Sequence, residues 1–445
     1  MPNLFSKLKT ALWSYPVLGA LILFLPALKN GFPFSYLDTG AYIHAGMTWS
    51  VLFDRPIFYG IWIFLTSLGQ SVWLTAIWQV VLTSLLINRI LQLSLKDRYS
   101  GWHLLAICGL LSLFSGAAIN AAMLLPDAFT PIMAMSALLY LADKSNRKWY
   151  FLLLCIATPM HNSHWLILAG FLVSYLWMGR KNIGLALKLS AGIWLALVCS
   201  LLISCTAVYL KYGQFKPAPA STFFMMGRLA ETGLLGPYLA ENCPALPAGL
   251  CKLHTALPMG ASEFIWRADG ILYTDGGYFN NETAYQSIVK GILKQPDNLL
   301  KFVYRSFWDG LHQLSFNRLV LHDASPNYET FLQLERHFYT DAQMARYALQ
   351  AYGTGDFSWT NPCYYLLLLF SAILLLGKRA ENSKVATLLL GLWLFVVLNA
   401  FVTATFGNVD SRLQARMAWL ILVSGYIMVL QMSWFKIGQP NQKRA

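Results

Sequence analysis

The chain has 445 residues, of which 57% are apolar and only 12% charged, with a formal net charge of +13. A soluble globular domain carries about 25% charged residues, so a hydrated surface is excluded for most of this chain. Basic loops facing anionic lipid account for much of the positive balance, and no nucleic-acid partner is needed to explain it.

Runs of about 20 apolar residues read as membrane spans. Ten apolar segments occur, roughly 11–29, 71–93, 102–119, 125–142, 149–160, 164–179, 183–209, 361–377, 384–406 and 415–434. The expected fold class is therefore all-α: a polytopic membrane protein with about ten transmembrane segments. The fifth and sixth segments are short enough to be half-helices or a re-entrant pair. The first follows Lys7 and Lys9 without a small-residue cleavage site, so it reads as a retained span. Short loops with Lys96 and Arg98, with Lys144, Arg147 and Lys148, with Arg180 and Lys181, and with Lys378, Arg379 and Lys384 alternate with poorly charged ones. Ten spans place all of these on one side, the cytoplasm by the positive-inside rule, together with both termini. The expected location is a bacterial inner membrane. The expected organisation is an N-terminal membrane module (1–209), a large periplasmic cap segment of helices and loops (210–360), and a C-terminal membrane module (361–445).

The loop 30–70 after the first span reads SYLDTGAYIHAGMTWSVLFDRPIFYG from residue 35 and carries Asp38, His44, Asp54 and Arg55. Charge at a bilayer edge is costly and marks function more often than not. Asp38 also suits a helix N-cap, but capping needs no further acid, histidine or arginine. Asp54 and Arg55 also fit a turn with a local ion pair. Asp127, after Pro126 in LLPDAF, fits the first turn of the fourth span, where the helix dipole favours a carboxylate. His161 and His164 flank the break in PMHNSHW, either as polar residues satisfied at a turn or as substrate-binding groups. Cys243 and Cys251 lie eight residues apart in the cap segment and read as a short disulfide loop of an oxidising compartment. Residues 283–314 have apolar side chains at spacings of three and four with basic residues between. That pattern suits a helix lying on a membrane surface or on the span ends. Arg412 and Arg416 share one helix face where the last span begins. On the side poor in basic residues, two guanidiniums read as an anion site with forks that match phosphate oxygens.

These motifs, in this order and on a common side, resemble the GT-C superfamily of integral-membrane glycosyltransferases. Its pattern has an acidic residue in the first outer loop, matched by Asp38, often followed by an Arg-Pro pair, matched by Arg55-Pro56. It often adds a second acid at the outer start of a later span, matched by Asp127. Bacterial relatives often have an arginine-rich outer end on a late span, matched by Arg412 and Arg416, and a Pro-containing amphipathic helix before it. The first loop departs from the pattern in lacking paired acids, so a divalent metal is not indicated and the cofactor stays unknown. The resemblance implies transfer of a sugar from a polyprenyl-phosphate donor to a periplasmic acceptor, which is a lipid, a glycan or a secreted protein. Asp38, expected to have a raised pKa among its aromatics, would be the base. Asp127 would orient the acceptor or support a cation. Arg412, Arg416 and Arg55 would hold the donor phosphate, and His44, Asp54, His161 and His164 would line the substrate site. One base and no carboxylate nucleophile make a single inverting displacement the expectation. The 16 Trp and 22 Tyr suit stacking on sugars or a lipid groove as well as interfacial belts. Three other readings remain: an O-antigen-type polymerase or ligase centred on His337 and Arg346, a lipid-linked sugar transporter, and a purely structural membrane protein.

Overall fold

A computed structural model describes residues 2–243, 246–315, 328–347 and 383–431, together with Tyr365, Leu366 and Leu369. The described residues are helical, without a strand. The first half contains α1 (Pro2–Asn30), α2 (Thr39–Thr48), α3 (Phe58–Ser67), α4 (Val72–Leu95), α5 (Gly101–Phe114), α6 (Ala117–Ala122), α7 (Phe129–Ala142), α8 (Arg147–Ala157), α9 (Asn162–Met178) and α10 (Ile183–Tyr212). The middle segment holds α11 (Ser221–Glu231), α12 (Leu235–Asn242), α13 (Ala248–Lys252), α14 (Ala261–Trp266), α15 (Tyr278–Leu293), α16 (Pro296–Leu314), α17 (Tyr328–His337) and α18 (Tyr339–Tyr347). The chain closes with α19 (Ser383–Phe406), α20 (Ser411–Ala418) and α21 (Leu420–Gln431).

Four stretches among these are long and apolar enough to cross a membrane: Val72–Arg98, Arg180–Tyr212, Val385–Phe406 and Ser411–Gln431. Ser14–Asn30 and Gly101–Phe114 are shorter apolar helices. The segment expected at 361–377 lies outside the described residues except for Tyr365, Leu366 and Leu369. The segment expected at 102–119 is broken, because Ser115 is fully extended (φ −153°, ψ 167°) and α6 starts afresh at Ala117. Hydropathy cannot see such a break, because Ser115 and Gly116 are small and their neighbours apolar. The short pair expected at 149–160 and 164–179 corresponds to α8 and α9, joined by the turn Thr158–Met160.

Local chemistry starts and stops these helices. Ser71 accepts from the Trp73 N–H at the head of α4, Ser100 forms a capping box with His103 on α5, and Asn182 caps α10. Gly213, at φ +68°, ends α10 in the left-handed region that glycine adopts without strain. Asp143 ties α4, α7 and α8 together, taking Arg89 at 2.7 Å and Tyr150 at 2.9 Å.

Helices α2 and α3 form a hairpin that crosses at Gly46 and Gly60. A Cβ on Gly46 would stand 2.0 Å from the Gly60 carbonyl oxygen, so only glycine permits this approach. The loops leading to Asp38 and Asp127 are laced together nearby. Phe34 accepts from the Leu124 N–H at 2.8 Å, and Thr39 donates to the Leu124 carbonyl at 3.2 Å. Gln79 of α4 donates to the carbonyls of Ala121 and Met123.

The middle segment has its own apolar core, running from Ala220 to Phe302 and separate from that of the helical body. It is braced on the body at several points. Phe53 packs into its core, and the Ala220 N–H donates to the Phe53 carbonyl. Gly40 donates to Thr330 of α17, and Asp341 of α18 accepts from the Val72 N–H at 2.7 Å. Gln313 of α16 makes both bonds of an amide pair with the backbone of Asp410. Phe53 directly precedes Asp54 and Arg55, and Asp410 directly precedes α20. The middle segment thus holds two of the three loops that carry the charged residues.

Candidate functional site

Six of the residues singled out above come together from four parts of the chain. They form one ladder in which acids and arginines alternate. Arg55 reaches Asp54 at 2.5 Å and Asp38 at 3.1 Å; Arg412 reaches Asp38 at 3.2 Å and lies 3.8 Å from Asp127; Arg416 closes on Asp127 at 2.6 Å. Three carboxylates against three guanidiniums leave the ladder neutral, which is what allows it to be buried.

Asp38 stands at the N-cap position of α2, yet its side chain makes no capping bond. Both its oxygens face arginines instead, one on Arg55 and one on Arg412. The helix-cap account of Asp38 therefore fails on geometry. Two aromatic rings hold the guanidiniums in place: Arg412 lies 4.3 Å over Tyr36, and Arg55 lies 5.3 Å from the centre of Tyr42. Burial pushes the Asp38 carboxyl up, but the Arg55 and Arg412 charges outweigh it and hold the group below the usual carboxylate range. The raised pKa expected from its aromatic surroundings is corrected: sequence neighbours reveal desolvation, whereas the opposing charge on Arg412 comes from 374 residues away.

Exposure peaks at Asp38 and falls toward Asp54 on one side and Arg416 on the other. The Asp38 side chain is 32% exposed, Arg55 and Arg412 are each 15%, Asp127 is 2% and Arg416 is 0%. Arg416 is enclosed by acceptors. Besides Asp127 it donates to Asn399 Oδ1 at 2.9 Å and to Ser163 Oγ at 3.0 Å. The expectation that Arg416 binds a phosphate is thereby corrected, since no face of its guanidinium is left open. Arg412 differs, because its Nε is buried without a hydrogen-bond partner. Asp127 follows Pro126 in the 3₁₀ turn that leads into α7, as its motif suggested.

The histidines divide. His161 caps α9, and its Nδ1 lies 2.8 Å from Ser163 Oγ, one step from Arg416. His164 is fully buried, with Thr130 Oγ1 on Nε2 at 2.9 Å and the Ala157 carbonyl on Nδ1 at 2.7 Å. Both its nitrogens are taken, so the substrate-binding role expected for His164 is corrected to a structural one. His44 is not joined to the ladder by any hydrogen bond or ion pair among the described residues. Its Nδ1 is buried without a partner, close to His337 of α17. Cys243 and Cys251 are joined as a disulfide in the middle segment. Among the described residues no three His, Cys, Asp or Glu side chains converge as a metal would require.

Several contributors escaped the sequence reading. Tyr36 and Tyr42 flank Asp38 at ordinary aromatic spacing, without a distinguishing signal. Asn399 did carry one, as an amide within an otherwise apolar run of α19. Gln313 and the Gly46–Gly60 crossing are visible only once the helices are packed.

No protein-family model, curated protein or solved structure matches this chain. The geometry of the ladder is thus the ground on which its chemistry rests. At its most open point two guanidiniums converge on one ionised carboxylate. An oxyanion placed there would meet two donor forks in a poorly hydrated setting, where such contacts are strongest. An acid poised beside it would be released as the arginines turn to the anion.

Proposed function

We propose that this chain is a polytopic membrane glycosyltransferase of GT-C type. It moves a sugar from a polyprenyl-phosphate donor to an acceptor hydroxyl on the periplasmic side of a bacterial inner membrane. The observation that carries this reading is the bracketing of the partly open Asp38 by Arg55 and Arg412. About ten spans, cytoplasmic termini and a periplasmic middle segment belong to the same proposal. The basic loops support them, as do the four long apolar stretches.

In this mechanism the donor phosphate is held by Arg55 and Arg412. Their attraction to Asp38 weakens as they engage the phosphate, and the carboxylate gains basicity only once the donor is seated. Asp38 then takes the proton of the acceptor hydroxyl. The acceptor oxygen bonds to the anomeric carbon from the face opposite the phosphate. The bond from that carbon to the phosphate oxygen breaks, and the polyprenyl phosphate leaves with the electron pair. Asp127 and Arg416 hold Arg412 in register. The acceptor is a lipid, a glycan or a secreted protein.

The O-antigen-type alternative draws less support. Arg346 pairs with Glu335 at an exposed position, 58% open, and among the described residues no hydrogen bond or ion pair links it to the ladder. The deciding experiment is an Asp38→Asn variant, assayed in membranes for transfer from a labelled polyprenyl-phosphate sugar. Loss of transfer with normal expression and thermal stability supports the reading. Undiminished transfer would overturn it, and a product with retained anomeric configuration would overturn the single displacement.

A further inference from the structure

A second concave site lies away from the ladder, between α12 and α16. It is a cleft of about 480 Å³ whose walls include Tyr238 and Glu241 on one side and Asn298, Lys301, Tyr304 and Arg305 on the other. Lys301 and Arg305 stand one helical turn apart. Neither they nor Glu241 has a hydrogen-bond or ion-pair partner among the described residues, and the two signs are too far apart across the cleft to pair with each other. One wall is therefore cationic and the other anionic, and the charges on both are exposed and unpaired among the described residues.

Beside this cleft, and meeting it at Tyr304, α16 carries an exposed apolar stripe. Leu300, Val303, Tyr304, Phe307, Trp308 and Leu311 recur at helical spacing along α16, and they are between 39% and 70% exposed. The opposite face of α16, with Ser306, Gly310 and Gln313, is buried. Gly310 lies against Phe401 near the end of α19, and Gln313 holds Asp410 just beyond it. Helix α16 therefore packs against an apolar stretch long enough to span a membrane, and its C-terminal end meets the boundary of that stretch. A helix there, with an apolar face outward and basic residues along one flank, lies in the interface. Its cations then sit at headgroup level.

We propose that the cleft binds the headgroup of an aminophospholipid, with the phosphate on Lys301 and Arg305 and the ammonium on Glu241. The acyl chains run down the apolar face of α16. A purely anionic headgroup would leave Glu241 facing a like charge. A trimethylated ammonium would have no N–H to donate to it. This site rests on the membrane-embedded reading of the chain.

The test uses the purified full-length protein and native mass spectrometry of retained lipid. The probes are dioleoyl phosphatidylethanolamine, its phosphatidylglycerol and phosphatidylcholine counterparts, and water-soluble phosphoethanolamine. Phosphatidylethanolamine should be retained preferentially. Lys301→Ala with Arg305→Ala should weaken it by about 25-fold, at about fivefold for each cation near a lipid surface. Glu241→Gln should abolish the preference over phosphatidylglycerol. Equal retention of phosphatidylglycerol by the wild type, or unchanged binding in the double variant, would overturn the site. Binding of soluble phosphoethanolamine as tight as that of the lipid would overturn the role of the apolar stripe. Maleimide labelling in nanodiscs separates the two levels. If Val303→Cys reacts as fast as the exposed control Lys252→Cys, the membrane reading itself fails. If Val303→Cys is protected and selectivity is still absent, only the headgroup site falls.

Discussion

Asp38 and Asp127 have the same side chain and share Arg412 as a neighbour, yet one stands at the most open point of the ladder and the other near its sealed end. Asp127 is sealed against Arg416, which is itself closed off by Asn399 and Ser163. Asp38 keeps about a third of its side chain open, between two arginines of which one, Arg412, has a buried Nε without a hydrogen bond. A carboxylate enclosed with its partner acts as a structural tie, because nothing else can reach either group. A carboxylate held at an opening by charges that a ligand can draw away is poised for chemistry. Burial, not residue type, separates the two roles.

That contrast is most severely tested at the sealed end. Arg416→Leu leaves Asp127 buried without its closest counter-charge, a loss of about 3–5 kcal/mol. We expect failure to accumulate in membranes, measured by expression and thermal unfolding. Near-normal stability would mean that water reaches Asp127. At the open point Asp38→Asn should lower transfer by about 10²–10⁴-fold, the usual worth of a positioned base. Its melting temperature should stay close to wild type, because Arg55 keeps Asp54. Equal damage to stability from Asp38→Asn and Arg416→Leu would erase the distinction between the two places. Asn399→Ala removes an acceptor from Arg416, a hydrogen bond to a charged group worth about 1.5–3 kcal/mol. It should lower stability while leaving the pH profile of transfer unchanged.

The smallest effect is on pH dependence. The folded pKa of Asp38 is depressed, so its stabilising contribution is complete above the unfolded value of about 3.9. That contribution disappears only as pH falls through the lower, folded value. Thermal stability between pH 5 and pH 8 should therefore be the same in wild type and Asp38→Asn, apart from a constant offset. A stability difference that changes with pH in that window would place the Asp38 pKa far higher than its arginines allow.

Much of this was legible in the residues, and the limits have physical reasons. Apolar runs announced the helices, and polar residues at their edges announced the members of the ladder, since both signals are local. Pairing was not legible, because Asp38 meets Arg412 only through the packing of elements 374 residues apart. The same blindness led to Arg416 being expected as a ligand group: its spacing from Arg412 is that of a shared helix face, but one helix turn deeper is enough to exclude a ligand. His164 looked available beside a turn, and only the placement of Thr130 reveals that its ring is occupied. The break after α5 was hidden because a change in helix direction at Ser115 leaves no mark on hydropathy.

The closing of the ladder also has a consequence for how the protein is made. Arg416 is synthesised 289 residues after Asp127. Until α20 is made, Asp127 has no counter-charge from Arg412 or Arg416. A chain stopped short of α20 therefore lacks both of the guanidiniums that Asp127 faces.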